Sequence, residues 1–356
     1  MLTSLRPGRG ERDTAVVTDS GRVFTVGRRL GGLLIAVLLL AVAVFASLAF
    51  GARDIALPVV VEALLDRDPG VNDHVVVWDL RLPRTVIGLL AGLALGLSGA
   101  LMQGLTRNPI ADPGLLGINA GASLAVVVAI TWLGIGTTAG YIWFAFAGAT
   151  LAALAVYGVG SMGWGGATPV KLAIAGSALT AVLTSLITLV LLTNLQTLER
   201  YRFWQVGSLV GRDLSTARTV LLFIVAGTAL ALASGRVLNA LSLGDDVAHG
   251  LGQHVVRDRA TILTATVLLC GSATALAGPI VFVGLVVPHA ARWVTGPDYR
   301  WIIVYSGVLG AALLIAADVL GRLVVSPGEV EAGLVAAFLG APVLIALVRR
   351  SRMAAV

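Results

Sequence analysis

Long apolar runs recur along the chain after residue 29, and short stretches rich in glycine, proline and charged residues separate them. A helix that crosses a bilayer needs about 20 predominantly apolar residues, and most of these runs reach that length. The run at 279–293 is shorter, which indicates a broken or partly buried helix. We predict membrane-spanning helices at 30–50, 84–104, 114–134, 138–160, 170–193, 217–235, 257–277, 279–293, 301–322 and 332–348.

The composition favours a membrane protein over a water-soluble domain. Of the 356 residues, 57% are hydrophobic and only 12% are charged, whereas soluble domains carry about 25% charged residues. The predicted fold is therefore all-α, a polytopic membrane protein of about ten transmembrane helices. We divide it into a basic arm at 1–29, a transmembrane domain at 30–348 and a tail at 349–356.

The net charge is +6, and arginines are concentrated at both ends of the chain. Cytoplasmic loops of membrane proteins carry an excess of Lys and Arg. We therefore expect both termini in the cytoplasm and the helices in the cytoplasmic (inner) membrane, which requires an even number of spans. Nucleic-acid binding could explain one basic tail, but membrane topology explains both. The arginines are Arg6, Arg9, Arg12, Arg22, Arg28, Arg29, Arg349, Arg350 and Arg352.

A stripe of small residues follows one face of the second predicted span. Small residues four positions apart allow a neighbouring helix to approach closely. Gly117 and Gly121 repeat the pattern in the third span, so we expect a tightly packed bundle. The stripe consists of Gly88, Gly92, Gly96, Ala100 and Gly104.

The sequence contains no motif for chemistry of its own. It has no phosphate-binding loop of the GxxxxGK[ST] type. Its four histidines are scattered and have no cysteine partners at metal-ligand spacing. We therefore expect no catalytic residue, cofactor or metal on this chain. Energy for uphill transport must then come from a partner protein or from an ion gradient.

The loop at 236–259, RVLNALSLGDDVAHGLGQHVVRDR, is long and polar, yet its apolar residues have helical spacing. Asp245 and Asp246 lie near a helix start, where negative charge is favoured. Glycines divide the loop into short pieces. It is either a solvated connector or a pair of short helices that docks on a cytoplasmic ATPase.

Several long motifs follow one another in the chain. They are RLPRTVIGLLAGLALGLSGALMQGLTRNPIADPGLLGINAGAS from Arg81, LSLGDDVAHGLG inside the 236–259 loop, GPIVFVGLVVPHAARW from Gly278, ADVLGR around Asp318 and GAPVLIALVRR from Gly340. Together they resemble the iron-siderophore and cobalamin (FecCD-type) permease family of ATP-binding-cassette (ABC) importers. RFWQVGSL at 202–209 and LCGSATALAGPI at 269–280 are most similar to its enterobactin-type members. Residues 1–29 lie outside the resemblance.

The resemblance implies a type II ABC importer permease and gives roles to residues of this chain. Paired arginines suit docking of a binding protein, because guanidinium groups hold carboxylates bidentately, although interfacial snorkelling is an alternative. A proline-bearing loop suits a gate but is also an ordinary turn. The implied residues are Leu243, Gly244, Asp245, Asp246, Ala248, Leu251 and Gly252 for ATPase coupling, Arg81, Arg84 and Arg322 for binding-protein docking, and Asn108, Ile110, Thr168 and Val170 for the cytoplasmic gate.

Polar residues inside the spans are candidates for the transport pathway, although hydrogen bonds between helices explain them as well or better. Asp318 is an acidic residue deep in a span, and Arg322 follows four positions later. An i,i+4 ion pair is the simpler explanation, and an intramembrane functional carboxylate is the alternative. The pathway candidates are Ser98, Gln103, Asn119 and Ser123.

The resemblance implies a permease subunit that translocates ferric siderophores. Its expected partners are a second permease subunit, preferably a related chain in a heterodimer, two cytoplasmic ATPases that bind ATP and Mg²⁺, an extracytoplasmic substrate-binding protein and membrane lipid, with no nucleic acid. A cobalamin or haem permease of the same family is one alternative. An ion-coupled secondary transporter and a membrane anchor without a transport role are the others.

Overall fold

The computed structural model describes residues 19–51, 55–135, 137–162, 168–325 and 328–353. Within these ranges the chain forms helices and no β-strand. The helices are α1 (Asp19–Ala49), α2 (Leu57–Leu65), α3 (Asn72–Val75), α4 (Leu82–Thr106), α5 (Ile118–Trp132), α6 (Thr138–Ser161), α7 (Pro169–Thr193), α8 (Leu195–Gln205), α9 (Leu214–Ala233), α10 (Gly235–Ser242), α11 (Asp245–Gly250), α12 (Val255–Ala277), α13 (Val283–Thr295), α14 (Tyr299–Val324) and α15 (Ala332–Met353).

Each predicted span falls on one of these helices, and the all-α fold is confirmed. In the described ranges, seven helical segments are long and apolar enough to cross a membrane. α5 and the apolar part of α15 are shorter, so about ten crossings stays a prediction. The seven segments are Val26–Ala49, Asn72–Thr106, Gly140–Ser161, Val170–Thr193, Leu214–Ala233, Val255–Ala277 and Tyr299–Val324.

The structure adds helices where charged residues interrupt the apolar pattern. α3, a π-helical turn at Val76–Arg81 and α4 form one continuous helix of 35 residues. The sequence-based prediction began at 84, because Asp79 and Arg81 end the apolar run. α8 has the mixed sequence LQTLERYRFWQ and was not predicted for the same reason.

α4 occupies the centre of the bundle and packs against α12, α13 and α14. Gly92 and Gly96 lie directly against the main chain of Gly310 and Ser306 on α14, where a Cβ atom would have no room. Gly121 makes the same kind of contact with Gly148 between α5 and α6. The close helix approach predicted from the small-residue stripe is therefore confirmed.

Two of the shorter helices, α5 and α13, begin inside the bundle. α13 follows a non-helical segment at 278–282, and its preceding residue Phe282 has a φ of 70°. Its second residue, Gly284, lies against Gly99 of α4 and near Pro113, which starts a 3₁₀ turn before α5. Irregular backbone at this depth is tolerated because surrounding protein covers it. The partly buried helix predicted for 279–293 is thus confirmed.

The bundle has two ends. The basic end contains the start of α1, the end of α4, α10, α11 and the start of α14, and the opposite end contains the end of α1 and the start of α4. α1 begins at Asp19, well inside the predicted arm. Residues 1–18 of the arm at 1–29 and 354–356 of the tail at 349–356 lie outside the described residues. The division into arm, transmembrane domain and tail stays a prediction.

Candidate functional site

The segment between α9 and α12 folds as two short helices at the basic end, as the spacing in the 236–259 loop predicted. α10 buries Leu238 and Leu241 against the bundle. Leu238 and Tyr299 of α14 lie over Gly104 near the end of α4. α10 therefore sits on the central helix of the fold.

α11 and the residues that flank it carry large apolar side chains that no part of the described chain covers. Leu243, Val247 and Leu251 are 64%, 48% and 60% exposed. Val247 lies on α11, Leu243 caps the end of α10 just before it, and Leu251 caps the end of α11. Ala248 is fully buried and faces the bundle. We call the three exposed residues the apolar stripe.

Asp245, the first residue of α11, binds two arginines from the bundle. Arg259 Nη2 donates to both carboxylate oxygens, at 3.0 and 2.8 Å. Arg107 Nη2 also donates to this carboxylate, and Arg107 Nε donates to the Leu241 carbonyl at 2.6 Å. Burial raises the pKa of the Asp245 carboxyl, but the bonds and charges of both arginines outweigh it and hold the pKa below its usual value.

The remaining predicted coupling residues surround this contact. Gly244 and Gly252 have φ values of 117° and 82° at the two junctions of α11, a region that glycine enters without steric cost. Asp246 is exposed, unlike Asp245. The structure therefore distinguishes the two neighbouring carboxylates: Asp245 is bonded to the bundle and Asp246 is exposed. From the sequence, both had the same predicted role.

A second polar contact fixes α10 to α14 and α1. Asn239 Nδ2 donates to Asp298 Oδ1 at 2.8 Å, and Arg29 Nη1 lies 3.6 Å from Asp298 Oδ2. Hydrogen bonds from the Arg300 side chain, with that of Asn239, lower the pKa of Asp298 to about 2 despite partial burial. This carboxylate stays charged at neutral pH.

The predicted gate residues occupy two turns. Asn108 Oδ1 accepts a hydrogen bond from the Ile110 amide at 3.1 Å, which closes the turn after α4. The Thr168 hydroxyl accepts from the Lys171 amide at 3.4 Å and caps α7. Ile110 and Val170 are exposed. The gate function stays a prediction.

The three predicted docking arginines lie close together at the opposite end. Arg84 Nε and Nη2 bind the Asp318 carboxylate at 2.8–3.0 Å, and Arg84 Nη1 binds Glu329 at 2.7 Å. Arg322 Nη2 lies 3.0 Å from Asp318 Oδ2, which confirms the i,i+4 ion pair. Asp318 and Arg322 are almost fully buried.

Arg81 and Arg322 both donate hydrogen bonds to the end of α1. Arg81 Nη1 donates to the carbonyls of Leu48 and Ala49, both at 2.6 Å. Arg322 donates to the carbonyls of Ser47 and Phe50 at 3.0 and 2.8 Å. These bonds fasten α1 to α4 and α14. A charged cleft, lined by the three arginines, Asp79, Arg212, Asp213 and Glu329, opens beside them, and docking in it stays a prediction.

The side chains of the pathway candidates are buried in the bundle or form hydrogen bonds with other residues of this chain. Ser98 is fully buried and donates to the Leu95 carbonyl at 3.0 Å. Gln103 Nε2 donates to the Leu285 carbonyl at 3.0 Å, and its Oε1 accepts from Arg292 at 2.6 Å. Asn119 accepts from Thr274 at 3.1 Å, and Ser123 is buried. The bonds of Gln103 and Asn119 join different helices, as the alternative of helix–helix hydrogen bonding expects, whereas Ser98 bonds within α4. A pathway role stays a prediction.

The sequence reasoning missed functional candidates that the fold brings to the same places. Val247 belongs to the apolar stripe, and its spacing from Leu243 and Leu251 was a usable signal. Arg107 and Arg259 had no signal beyond their charge, because Asp245 lies 138 positions from Arg107 and reaches Arg259 only through the turn between α11 and α12. Within the described residues, no group of three or more His, Cys, Asp or Glu side chains is placed to hold a metal ion.

Comparisons with known proteins cover most of the chain. A model described as the FecCD transport family matches residues 39–350. The ferric enterobactin transport system permease protein FepD of Escherichia coli (strain K12) is 50% identical over 313 residues, 88% of this chain and 93% of that protein. The iron(3+)-hydroxamate import system permease protein FhuB of Bacillus subtilis (strain 168) is 40% identical over 314 residues, 88% of this chain and 82% of that protein.

Permeases named for hemin and for cobalamin import match at lower identity. Among solved structures, one described as an inward-facing conformation of a metal-chelate type ABC transporter has a TM-score of 0.78. It is 24% identical in sequence, and the match covers 89% of this chain and 98% of that one. At this identity the likeness concerns the fold.

Proposed function

Because the chain belongs to the FecCD transport family, we propose that it is the membrane-spanning permease subunit of an ABC importer for ferric-siderophore complexes. The family resemblance predicted from the motifs is confirmed, as is the polytopic type II importer fold. The complete importer also contains a second permease, two ATPases that bind ATP and Mg²⁺, and an extracytoplasmic binding protein. The basic end then faces the cytoplasm, with both termini on that side.

The cargo proposal is supported by the names of the relatives. The 50% identical relative is named for ferric enterobactin and the 40% identical one for iron(3+)-hydroxamate. Relatives named for hemin and cobalamin are less similar. A ferric siderophore is therefore the favoured cargo, and haem and cobalamin remain the alternatives within the family.

The apolar stripe on α11 is the observation that carries the proposal. Three large exposed apolar residues on and beside a short helix, at a charged end of the bundle, are typical of a protein interface. A groove on a cytoplasmic ATPase is a suitable partner, because the helix projects from the basic end. Leu243, Val247 and Leu251 supply the contact, and Ala248 and Asp245 hold the helix from behind.

The opposite end supports a docking site for the binding protein. The cleft beside the RLPR motif presents arginine and carboxylate side chains together, and such mixed charges favour one orientation of a partner. Arg84 is the docking arginine with the most suitable position, since its side chain is 12% exposed. Arg81 and Arg322 support the wall of the cleft through α1.

The second permease pairs along the side where α7 lies. Only 11% of the most apolar part of α7 is buried, and its exposed face carries Ser177, Thr184 and Thr188 as well as apolar residues. A face with hydroxyl groups suits a pathway between two subunits better than lipid alone. Ile110 and Val170 are exposed at the gate turns and close the cytoplasmic side of that pathway with their counterparts.

The ion-coupled alternative lacks support. It requires a carboxylate that can bind and release an ion inside the membrane. Asp318, its candidate, is bonded to Arg84 and Arg322, so its charge already has partners. A membrane anchor without a transport role would not require the exposed apolar stripe.

Reconstitution of the importer in proteoliposomes tests the function. The vesicles contain this chain, its second permease and the ATPases, and they receive binding protein with ferric enterobactin, a ferric hydroxamate, hemin or cobalamin. We expect ATP-dependent uptake of a ferric siderophore. Uptake of cobalamin or hemin alone would contradict the cargo, and uptake without the ATPases would support ion coupling.

A further inference from the structure

The contact behind α11 connects three separate parts of the fold. Asp245 belongs to α11 and Arg259 to the first turns of α12, and Arg107 is the residue that ends α4. α4 and α12 pack against each other in the centre of the bundle. One carboxylate thus joins the helix that carries the apolar stripe to both central helices.

Arg107 has a special position in this contact. Its φ of 51° ends α4 in the left-handed conformation, and the turn at 108–110 follows directly. The same guanidinium also holds the Leu241 carbonyl at the end of α10. A displacement of α11 therefore acts on the residue next to the gate turn.

The junctions of α11 provide little other attachment. A Cβ atom added at Gly244, Gly250 or Gly252 would meet no atom within 4 Å, so open space lies beside the backbone at these three positions. The buried Ala248 and the ionised Asp245 are the inward contacts of a helix of only six residues. Such a short helix is not stable alone, and its orientation depends on these contacts.

We propose that Asp245 is a positioning residue for transport, which makes α11, the end of α4 and the start of α12 move as one body. The inference rests on the proposed permease function. Movement of an ATPase against the apolar stripe then reaches the 108–110 turn through Arg107, and Arg259 keeps the carboxylate in place. Without the carboxylate, the ATPases still bind the stripe, but their movement no longer reaches the gate turn.

Asp245→Asn in the assembled importer tests this role. We expect normal assembly and continued ATP hydrolysis, with about tenfold less ferric siderophore moved per ATP, the factor typical of one lost charge-assisted hydrogen bond. Asp66→Asn is the control, because it removes the same charge from an exposed residue at the opposite end, outside the coupling segment. A normal ratio of transport to hydrolysis in Asp245→Asn, with the wild-type importer active, would overturn the inference.

Exchanging the charges of Asp245 and Arg107 distinguishes a positioning role of their ion pair from a general loss of stability. In an Arg259→Gln background, Asp245→Arg places two arginines together and should abolish coupling. Adding Arg107→Asp restores an opposite pair, and Asp tolerates the left-handed conformation of that position. We expect coupling to recover at least in part, and its failure to recover while the complex stays assembled would contradict a role of the ion pair. An inactive wild-type importer would instead count against the proposed function itself.

Discussion

At the scale of single residues, arginines at the opposite end differ in what they bind. Arg84 binds two carboxylates, whereas Arg81 and Arg322 donate hydrogen bonds to carbonyls at the end of α1. The last carbonyls of a helix lack intrahelical partners, and cations are favourable beside them. The sequence shows that Arg81 and Arg84 are close in the chain, but their partners near residues 48 and 318 are fixed only by the fold.

Arg81→Ala should therefore lower stability more than docking. It removes two buried charge-assisted hydrogen bonds to Leu48 and Ala49, at a cost of about 2 kcal/mol or more. We expect a lower thermal midpoint of the purified importer and nearly unchanged affinity for the binding protein. Arg67→Ala is the control, since its ion pair with Asp79 is about half exposed. A large loss of affinity at an unchanged midpoint would show direct docking by Arg81.

At the scale of elements, the sequence predicted those helices and helix contacts that depend on residues close together in the chain. Apolar run lengths located the spanning helices, and small residues at four-residue spacing located the α4–α14 contact. The break before α13 was harder to place, because the left-handed Phe282 packs against Gly340 of α15, which is distant in the chain. α8 was missed, since a buried Tyr201 and Trp204 lie among charged residues whose destination depends on the fold.

The apolar stripe yields a prediction for α11 as an element. Val247→Ser with Leu251→Ser removes apolar contact area without touching the buried Ala248. We expect ATPase affinity of the permease to fall by roughly a hundredfold, since each large buried apolar side chain contributes about 1.5 kcal/mol or more at an interface. Co-purification and direct titration with the ATPase measure this. Val256→Ser, which changes an exposed valine on α12, should leave the affinity unchanged.

At the scale of the whole molecule, burial is uneven across the bundle. In the described ranges, 78% of the most apolar part of the α3–α4 helix is buried, but only 28% for α1 and 11% for α7. Lipid can cover such exposed apolar surfaces. The large exposed surface of α7, next to the gate turns, favours a subunit interface there. Sequence periodicity could not predict this, because an apolar helix looks the same whether lipid or protein surrounds it.

We predict that the native importer contains two different permease chains. Affinity purification of this chain from its native membrane, in mild detergent, should recover a second, related permease in equal amount together with the ATPases. The stoichiometry is measured by intact mass of the complex. Recovery of this chain as the single permease species would contradict the heterodimer and favour two identical copies.

The hydrogen bonds at both ends of α1 have a consequence for the synthesis and folding of the protein. Arg29 donates to the Thr295 carbonyl 266 positions later, and Arg322 reaches back 275 positions to Ser47. At a synthesis rate of about 5–20 residues per second, these partners emerge from the ribosome roughly 15 to 50 seconds after α1. α1, only 28% of whose most apolar part is buried in the fold, is apolar enough to stay in the bilayer during that interval. α1 precedes these partner helices in the chain but is thus fastened only after they emerge.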